Sequence, residues 1–286
     1  MLMNECLEKF EKYLKFNEKS KWTITGYLNE MEYFSKYLET KYNGPVYVED
    51  ITKDELKGYL NYIRENGYKA SSRNRVLFVF RSFYNFTQEE NITEKHLAKD
   101  LKPIKTRKKE RVYLTAEEVS ELVEKLDHQI VKAAVQTMYY SGLRVSECTN
   151  LTFDDLDLKN QVLHVRQGKG NRDRDIPICD ELLEILTNYL KNIRPNITSN
   201  YVFATKRSGG LSGAYINRKL KEAVEALGWS KKVTSHIFRH SFASNLVKHD
   251  VNIYKIQKLL GHSNISVTGI YSHSNLDDLS KAVNVL

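Results

Sequence analysis

Six side chains of this 286-residue chain are of the types that phosphate chemistry needs: Arg144, Lys169, His236, Arg239, His262 and Tyr271. A phosphodiester is anionic and its transition state carries more negative charge. Fixed guanidinium and imidazole donors aimed at its non-bridging oxygens are therefore the largest catalytic lever available. A lysine can hand a proton to a leaving oxygen. A tyrosine can attack phosphorus covalently, but with a free pKa of about 10 it is a poor nucleophile until nearby cations stabilise the phenolate. In this order, the set is what cleavage of a DNA strand by a tyrosine without a metal requires.

The segments that hold these residues read Ser141-Gly-Leu-Arg-Val-Ser-Glu147, Gly168-Lys-Gly170, His236-Ile-Phe-Arg-His240, Gly261-His262 and Ile270-Tyr271. Arg144 follows a helix break at Gly142 and should open a new helical turn, with Glu147 one turn on either orienting it or simply pairing with it. His236, Arg239 and His240 fall on one face of a helix starting near Thr234, which Phe238, Phe242 and Leu246 anchor in a core. The spacing of His236 and His240 also matches a zincin helix, but Ile237 stands where glutamate is needed and no third ligand is evident, so no metal is expected. His240 is expected to support the core through a hydrogen bond. Lys169, between two glycines, is either a solvated loop lysine or a mobile ammonium able to enter a minor groove. His262 precedes Ser263-Asn264, so helix capping is its alternative role. Tyr271 is one of eighteen tyrosines, and only its position singles it out: nine residues after His262, on a short helix beginning near Asn264.

The elements that must position these residues follow from periodicity. Residues 1–101 read as helices only, four or five of them. Tyr27, Leu28, Met31, Phe34 and Leu38 share one face of a segment from about Lys19 to Thr40, opened by Ser20 or Lys21. Thr52 with Glu55 forms a capping box for a further helix ending before Gly67. Ser71 or Ser72 should open the next, with Val76, Phe80, Phe83 and Tyr84 inside and Arg73, Arg75 and Arg81 as candidate DNA contacts. Residues 102–111 hold six basic side chains against one acid, a local +5 out of a net +8. That run reads as a solvated linker, or as a basic strap crossing a phosphate backbone through Lys105, Arg107, Lys108, Lys109 and Arg111. Beyond it, Thr115 with Glu118 caps a new helical domain, and Ile130, Val131, Ala134, Val135 and Met138 mark a buried helix ending at Gly142. Between Gln161 and Pro177 the period changes to two, with Leu163 and Val165 alternating against Val162, His164 and Arg166. This predicts a β-hairpin with Gly168-Lys-Gly170 at its turn. The domains expected are thus 1–101, a linker over 102–112, and 113–286 with a tail over 274–286.

Composition excludes several classes. No apolar run approaches the roughly 20 residues that span a bilayer, and no signal pattern precedes the first helix. Cys6, Cys148 and Cys179 are scattered without paired spacing, which fits a reducing cytoplasm rather than a disulfide scaffold or a cysteine zinc site.

In their order and separations the motifs resemble those of the tyrosine recombinases of the phage-integrase family, Xer-type recombinases most of all. The likeness spans essentially the full chain and is strongest from residue 113 onward. In the first 100 residues it rests on size, helicity and the Thr23…Tyr27 opening. It implies a mainly α protein: an N-terminal helical core-binding (SAM-like) bundle, then an α+β catalytic domain with a small β-sheet, the two clamping DNA as a C. It also implies that Tyr271 forms a 3′-phosphotyrosyl link and that Arg144, Arg239 and His262 hold the phosphate oxygens. Lys169 would protonate the departing 5′-oxygen, His236 would act as general acid/base beside the tyrosine, and Glu147 would support Arg144. Because that link conserves the phosphodiester energy, neither cofactor nor metal is implied.

The partner implied is double-stranded DNA with specific recombination sites, bound by a homo- or hetero-tetramer that exchanges strands through a Holliday junction, with accessory proteins possible. Leu276, Leu279, Val283 and Val285 form an apolar face that either folds back on its own domain or docks on a neighbouring protomer. Helices begin at the first residues, which favours a simple Xer-like enzyme, resolving DNA multimers or cointegrates, over an integrase with an extra arm-site domain. A mobile-element integrase or resolvase is the alternative. A type IB topoisomerase-like nicking and closing enzyme and an inactive DNA-binding accessory protein are further readings.

Overall fold

A computed structural model describes residues 1–106, 113–166 and 173–261. The chain divides into two compact units, Met1–Lys109 and Glu110–Leu286. In the first, four helices run α1 (Met3–Phe16), α2 (Lys21–Tyr42), α3 (Lys53–Glu65) and α4 (Ala70–Glu89), with a short 3₁₀ turn at Val48–Asp50. Local chemistry sets their starts. The Ser20 hydroxyl accepts the Thr23 N–H at 3.2 Å. The Glu55 carboxylate takes the Thr52 N–H at 2.5 Å and its hydroxyl at 2.7 Å, satisfying donors that a helix start leaves unpaired. The fourth helix begins at Ala70, ahead of the serines expected to open it, so Ser71 and Ser72 lie in its first turn. Of the stripe expected on α2, Met31, Phe34 and Leu38 are fully buried, while Tyr27 and Leu28 pack at the margin of the core. Aromatic rings fill the centre: Phe10 meets Phe83 edge-on with centroids 5.3 Å apart, and Phe34 meets Phe80 at 4.8 Å.

The second unit begins with α5 (Ala116–Lys125), capped by Thr115 and Glu118. The helix α6 (Gln129–Ser141) is its axis, packing against α5, α8 (Asp180–Asn188), α9 (Gly213–Ala226) and α10 (Ser235–Lys248). Val131, Ala134, Val135 and Met138 on α6 have no exposed surface. Between α7 (Val145–Thr149) and α8 lies a small antiparallel sheet of β1 (Leu156–Asp157), β2 (Val162–Val165) and β3 (Arg174–Pro177), and α11 (Ile253–Leu260) ends the described chain. The hairpin expected from the alternation is β2–β3, with Leu163 opposite Ile176 and Val165 opposite Arg174. The third strand, β1, has two residues and is too short to carry a period. Among the described residues no helix is long and apolar enough to cross a membrane.

Gly142 decides how α6 hands over to α7. It adopts φ +66°, a left-handed conformation that a side chain disfavours. A Cβ there would also sit 2.5 Å from Cδ1 of Phe242 and 3.1 Å from Cδ2 of Leu260. The chain therefore turns sharply against α10 and α11 and presents Arg144 as the N-cap of a new helix.

Candidate active site

Arg144 is the N-cap of α7, with extended backbone angles (φ −70°, ψ 155°). Glu147, three residues on, folds back: its Oε2 accepts the Arg144 N–H at 2.8 Å and its Oε1 accepts Arg144 Nη1 at 2.6 Å. Two more guanidinium groups reach the same carboxylate. Arg174 Nη2 donates to Oε2 at 2.8 Å and Nη1 to Oε1 at 3.2 Å. Arg239 Nη1 lies 3.8 Å from Oε2. A single carboxylate, its side chain 7% exposed, thus gathers three arginines from three separate elements.

Arg239 is buried on α10, one turn after His236, and also donates to backbone carbonyls: Nη1 to Gly142 at 2.7 Å and Nη2 to Leu260 at 2.5 Å. Burying a charge is costly unless it is paired and hydrogen-bonded, so this geometry fixes the guanidinium tightly. Arg144 is different. With 29% of its side chain exposed, it lines a cavity of about 250 Å³ together with Ser146, Asn150, His164 and Arg166. His164 pairs across the sheet with Asp175 at 2.7 Å, and Arg166 lies 3.3 Å from Asp155. The arrangement offers the Arg144 guanidinium, held in place by Glu147, at an open pocket, where it can hold an anionic oxygen.

Burial pushes the Glu147 carboxyl up, but the hydrogen bonds from Arg174 and Arg144 and the charge of Arg174 outweigh it, and the net shift is below the ordinary 4.5. A depressed folded pKa means stability that is fully present above the unfolded value and lost as pH falls through the folded one. Glu147→Ala, which leaves three guanidinium groups without their acceptor, is expected to lower the unfolding free energy by about 3–5 kcal/mol. The gap between the unsubstituted protein and Glu147→Gln should hold at neutral pH and narrow on acidification below pH 4.5. Denaturant melts at a series of pH values check both.

The structure brings Arg144, Glu147 and Arg239 together. His236 stands exposed in the first turn of α10, and His240, one turn beyond it and next to Arg239, is half-buried. Lys169, His262 and Tyr271 lie outside the described residues, as do Arg107, Lys108, Lys109, Arg111 and the tail over 274–286. Lys105 is exposed. Two of the three arginines of α4 are engaged within the first unit. Arg75 pairs with buried Glu30 at 2.7 Å, and Arg81 donates to the Leu101 carbonyl at 2.6 Å. Arg73 has a buried Nε without a partner among the described residues. Sequence reasoning missed Arg174. The signal was available: in β3, Arg174 and Ile176 face inward while Asp175 and Pro177 face out. An arginine on an inward strand face needs a buried acid.

Comparison with known proteins adds to this geometry. The model of the phage integrase family matches residues 112–277. That of the phage integrase N-terminal SAM-like domain matches residues 7–91. The chain is 35% identical to tyrosine recombinase XerA of Pyrococcus horikoshii, over 98% of this chain and 93% of that protein. It is 30% identical to tyrosine recombinase XerC of Oceanobacillus iheyensis, over 96% of this chain and 93% of that protein. Among solved structures, a crystal structure of XerA recombinase matches with 27% identity and a TM-score of 0.55, covering 99% of this chain and 98% of that one. A lambda integrase (75–356) dimer bound to a COC′ core site matches in fold with a TM-score of 0.80 at 21% identity, covering 96% of this chain and 99% of that one. The Tn1549 transposon integrase in complex with a circular intermediate DNA gives 0.79 at 20% identity, covering 98% of this chain and 99% of that one.

Proposed function

The chain belongs to the phage integrase family of tyrosine recombinases, and on that premise we propose how its own residues divide the work of cutting and rejoining DNA. It is a site-specific recombinase of the Xer kind, breaking and remaking DNA strands through a tyrosine. In the reading proposed, the Tyr271 phenol oxygen attacks the scissile phosphorus. The bond from phosphorus to the 5′-oxygen breaks, leaving a 3′-phosphotyrosyl link and a 5′-hydroxyl. Arg144, Arg239 and His262 hold the non-bridging oxygens, Lys169 gives the leaving 5′-oxygen its proton, and His236 takes the proton of the phenol. Rejoining reverses these steps with a 5′-hydroxyl from another strand.

The observation that supports this reading best is the convergence of the Arg144 and Arg239 guanidinium groups on Glu147 beside an open cavity. Donors held before substrate arrives need no reorganisation as charge develops, which is where such sites gain most. Double-stranded recombination sites are the substrate. Four protomers, identical or of two related kinds, assemble on them through residues 274–286, in the cytoplasm. Resolution of DNA multimers or cointegrates is the outcome that fits a chain so similar to XerA and XerC proteins.

The test is a covalent adduct. Nicked duplexes from the DNA flanking the gene, incubated with the protein in chelator and run on a denaturing gel, should yield a protein–DNA species. The cleaved partner strand should carry a 5′-hydroxyl that a kinase can label. An adduct that forms only with added divalent metal, or that leaves a 5′-phosphate, would contradict the mechanism.

A further inference from the structure

Arg174 opens β3 opposite Val165 and turns its side chain inward, leaving 6% of it exposed. Three of its N–H groups are committed. Two form a fork on the two oxygens of Glu147, at 2.8 and 3.2 Å, and the third, Nε, donates to the Leu259 carbonyl at 2.8 Å. Fork-on-carboxylate geometry is what a planar guanidinium does and an ammonium cannot, because it fixes direction as well as distance. The same Glu147 Oε1 takes Arg144 Nη1 at 2.6 Å. The orientation of the Arg144 guanidinium is therefore set by a carboxylate whose own rotation Arg174 blocks.

The neighbouring backbone is shaped around this contact. A Cβ on Gly261 would come within 2.9 Å of Arg174 Cδ and 3.2 Å of its Nη1, so the chain passes directly over the guanidinium as it leaves α11. Arg239 holds the next carbonyl along, that of Leu260. Among these four side chains, three guanidinium groups stand against one carboxylate, and of the three only Arg144 lines the cavity.

We propose that Arg174 is a positioning residue for DNA cleavage: it locks the Glu147 carboxylate that aims Arg144 at the scissile phosphate and ties that carboxylate to the last turn of α11. The proposal rests on the reading of Arg144 as a phosphate ligand. Arg174→Lys keeps the charge but loses the fork. Displacing a reacting group by about an ångström can cost on the order of a hundredfold, so cleavage in single turnover should slow by about 10- to 100-fold. DNA affinity in a gel shift should stay within about twofold, because Arg174 does not face the cavity.

A second substrate separates positioning from support of the fold. When the scissile phosphate is replaced by a neutral methylphosphonate, there is less charge for Arg144 to stabilise. The rate ratio of unsubstituted protein to Arg174→Lys should then collapse to within about threefold. Glu147→Gln, which keeps the shape of the acceptor but not its charge, should give the same collapse and serves if the lysine variant fails to fold. Both substrates are nicked duplexes that the unsubstituted protein converts to adduct. Unchanged cleavage by the variants, or equal slowing on phosphate and methylphosphonate, would overturn the positioning role while leaving tyrosine cleavage intact. Absence of adduct from the unsubstituted protein on every duplex would remove the cleavage reading and this proposal with it.

Discussion

Tyr271→Phe is expected to bind recombination-site DNA within about threefold of the unsubstituted affinity and to form no covalent adduct, a loss of at least about ten-thousandfold in strand cleavage. The substitution removes one oxygen, the atom assigned to bond phosphorus, and leaves the ring. Water is a poor substitute there, because it would have to enter in line with the leaving 5′-oxygen and would give hydrolysis rather than a link that can be rejoined. A denaturing gel with labelled nicked duplex reads the adduct, and a native gel with the same duplex reads binding. An adduct on the phenylalanine variant would place the nucleophile at another of the eighteen tyrosines. Loss of binding and adduct together would mean that the hydroxyl serves assembly rather than attack.

Arg144→Ala should be almost as damaging to cleavage while leaving the fold in place. Removing one preorganised donor from a site of developing charge costs about 10²–10³ in rate, and an arginine that neutralises a transferring phosphoryl group is worth about 10³–10⁵. An adduct rate reduced by about a thousandfold is therefore expected. Stability should fall by only about 1 kcal/mol, since Glu147 keeps Arg174 and Arg239 and the truncated side chain was already 29% exposed. The contrast with Glu147→Ala is the informative part. One variant loses chemistry and keeps its melt, while the other loses the melt first. Single-turnover cleavage measured beside thermal unfolding distinguishes them, and an Arg144→Ala protein that cleaves within tenfold of normal would remove this residue from the phosphate site.

The local signals in the sequence carried far because they are local. The Thr52–Glu55 and Thr115–Glu118 capping boxes, the break at Gly142 and the inward Leu163 and Val165 all depend on residues within a turn or a strand of one another. Arg144 and Glu147 were legible for the same reason, being one helical turn apart. The strand alternation marks Arg174 as inward-facing, but its partners were not legible, because they lie 27 and 85 positions away and only the folded chain brings them to it. The same holds for the contacts of the α4 arginines, since the acid that pairs with Arg75 and the carbonyl that accepts from Arg81 sit on other segments, 45 and 20 positions off. The two-residue strand β1 offers no pattern at all, since an alternation needs more than one period to be seen.

The carbonyls at the end of α11 have a consequence for how the second unit comes apart. A helix of eight residues is too short to persist on its own in water. Here Leu259 and Leu260 each accept an N–H of a buried guanidinium, so peeling α11 away would leave one buried donor of Arg174 and one of Arg239 without its acceptor. The helix is thereby enrolled in the same cooperative unit as α6 and α10. Its amides are therefore expected to exchange with those of α6 and α10 rather than ahead of them, which native-state hydrogen exchange would read.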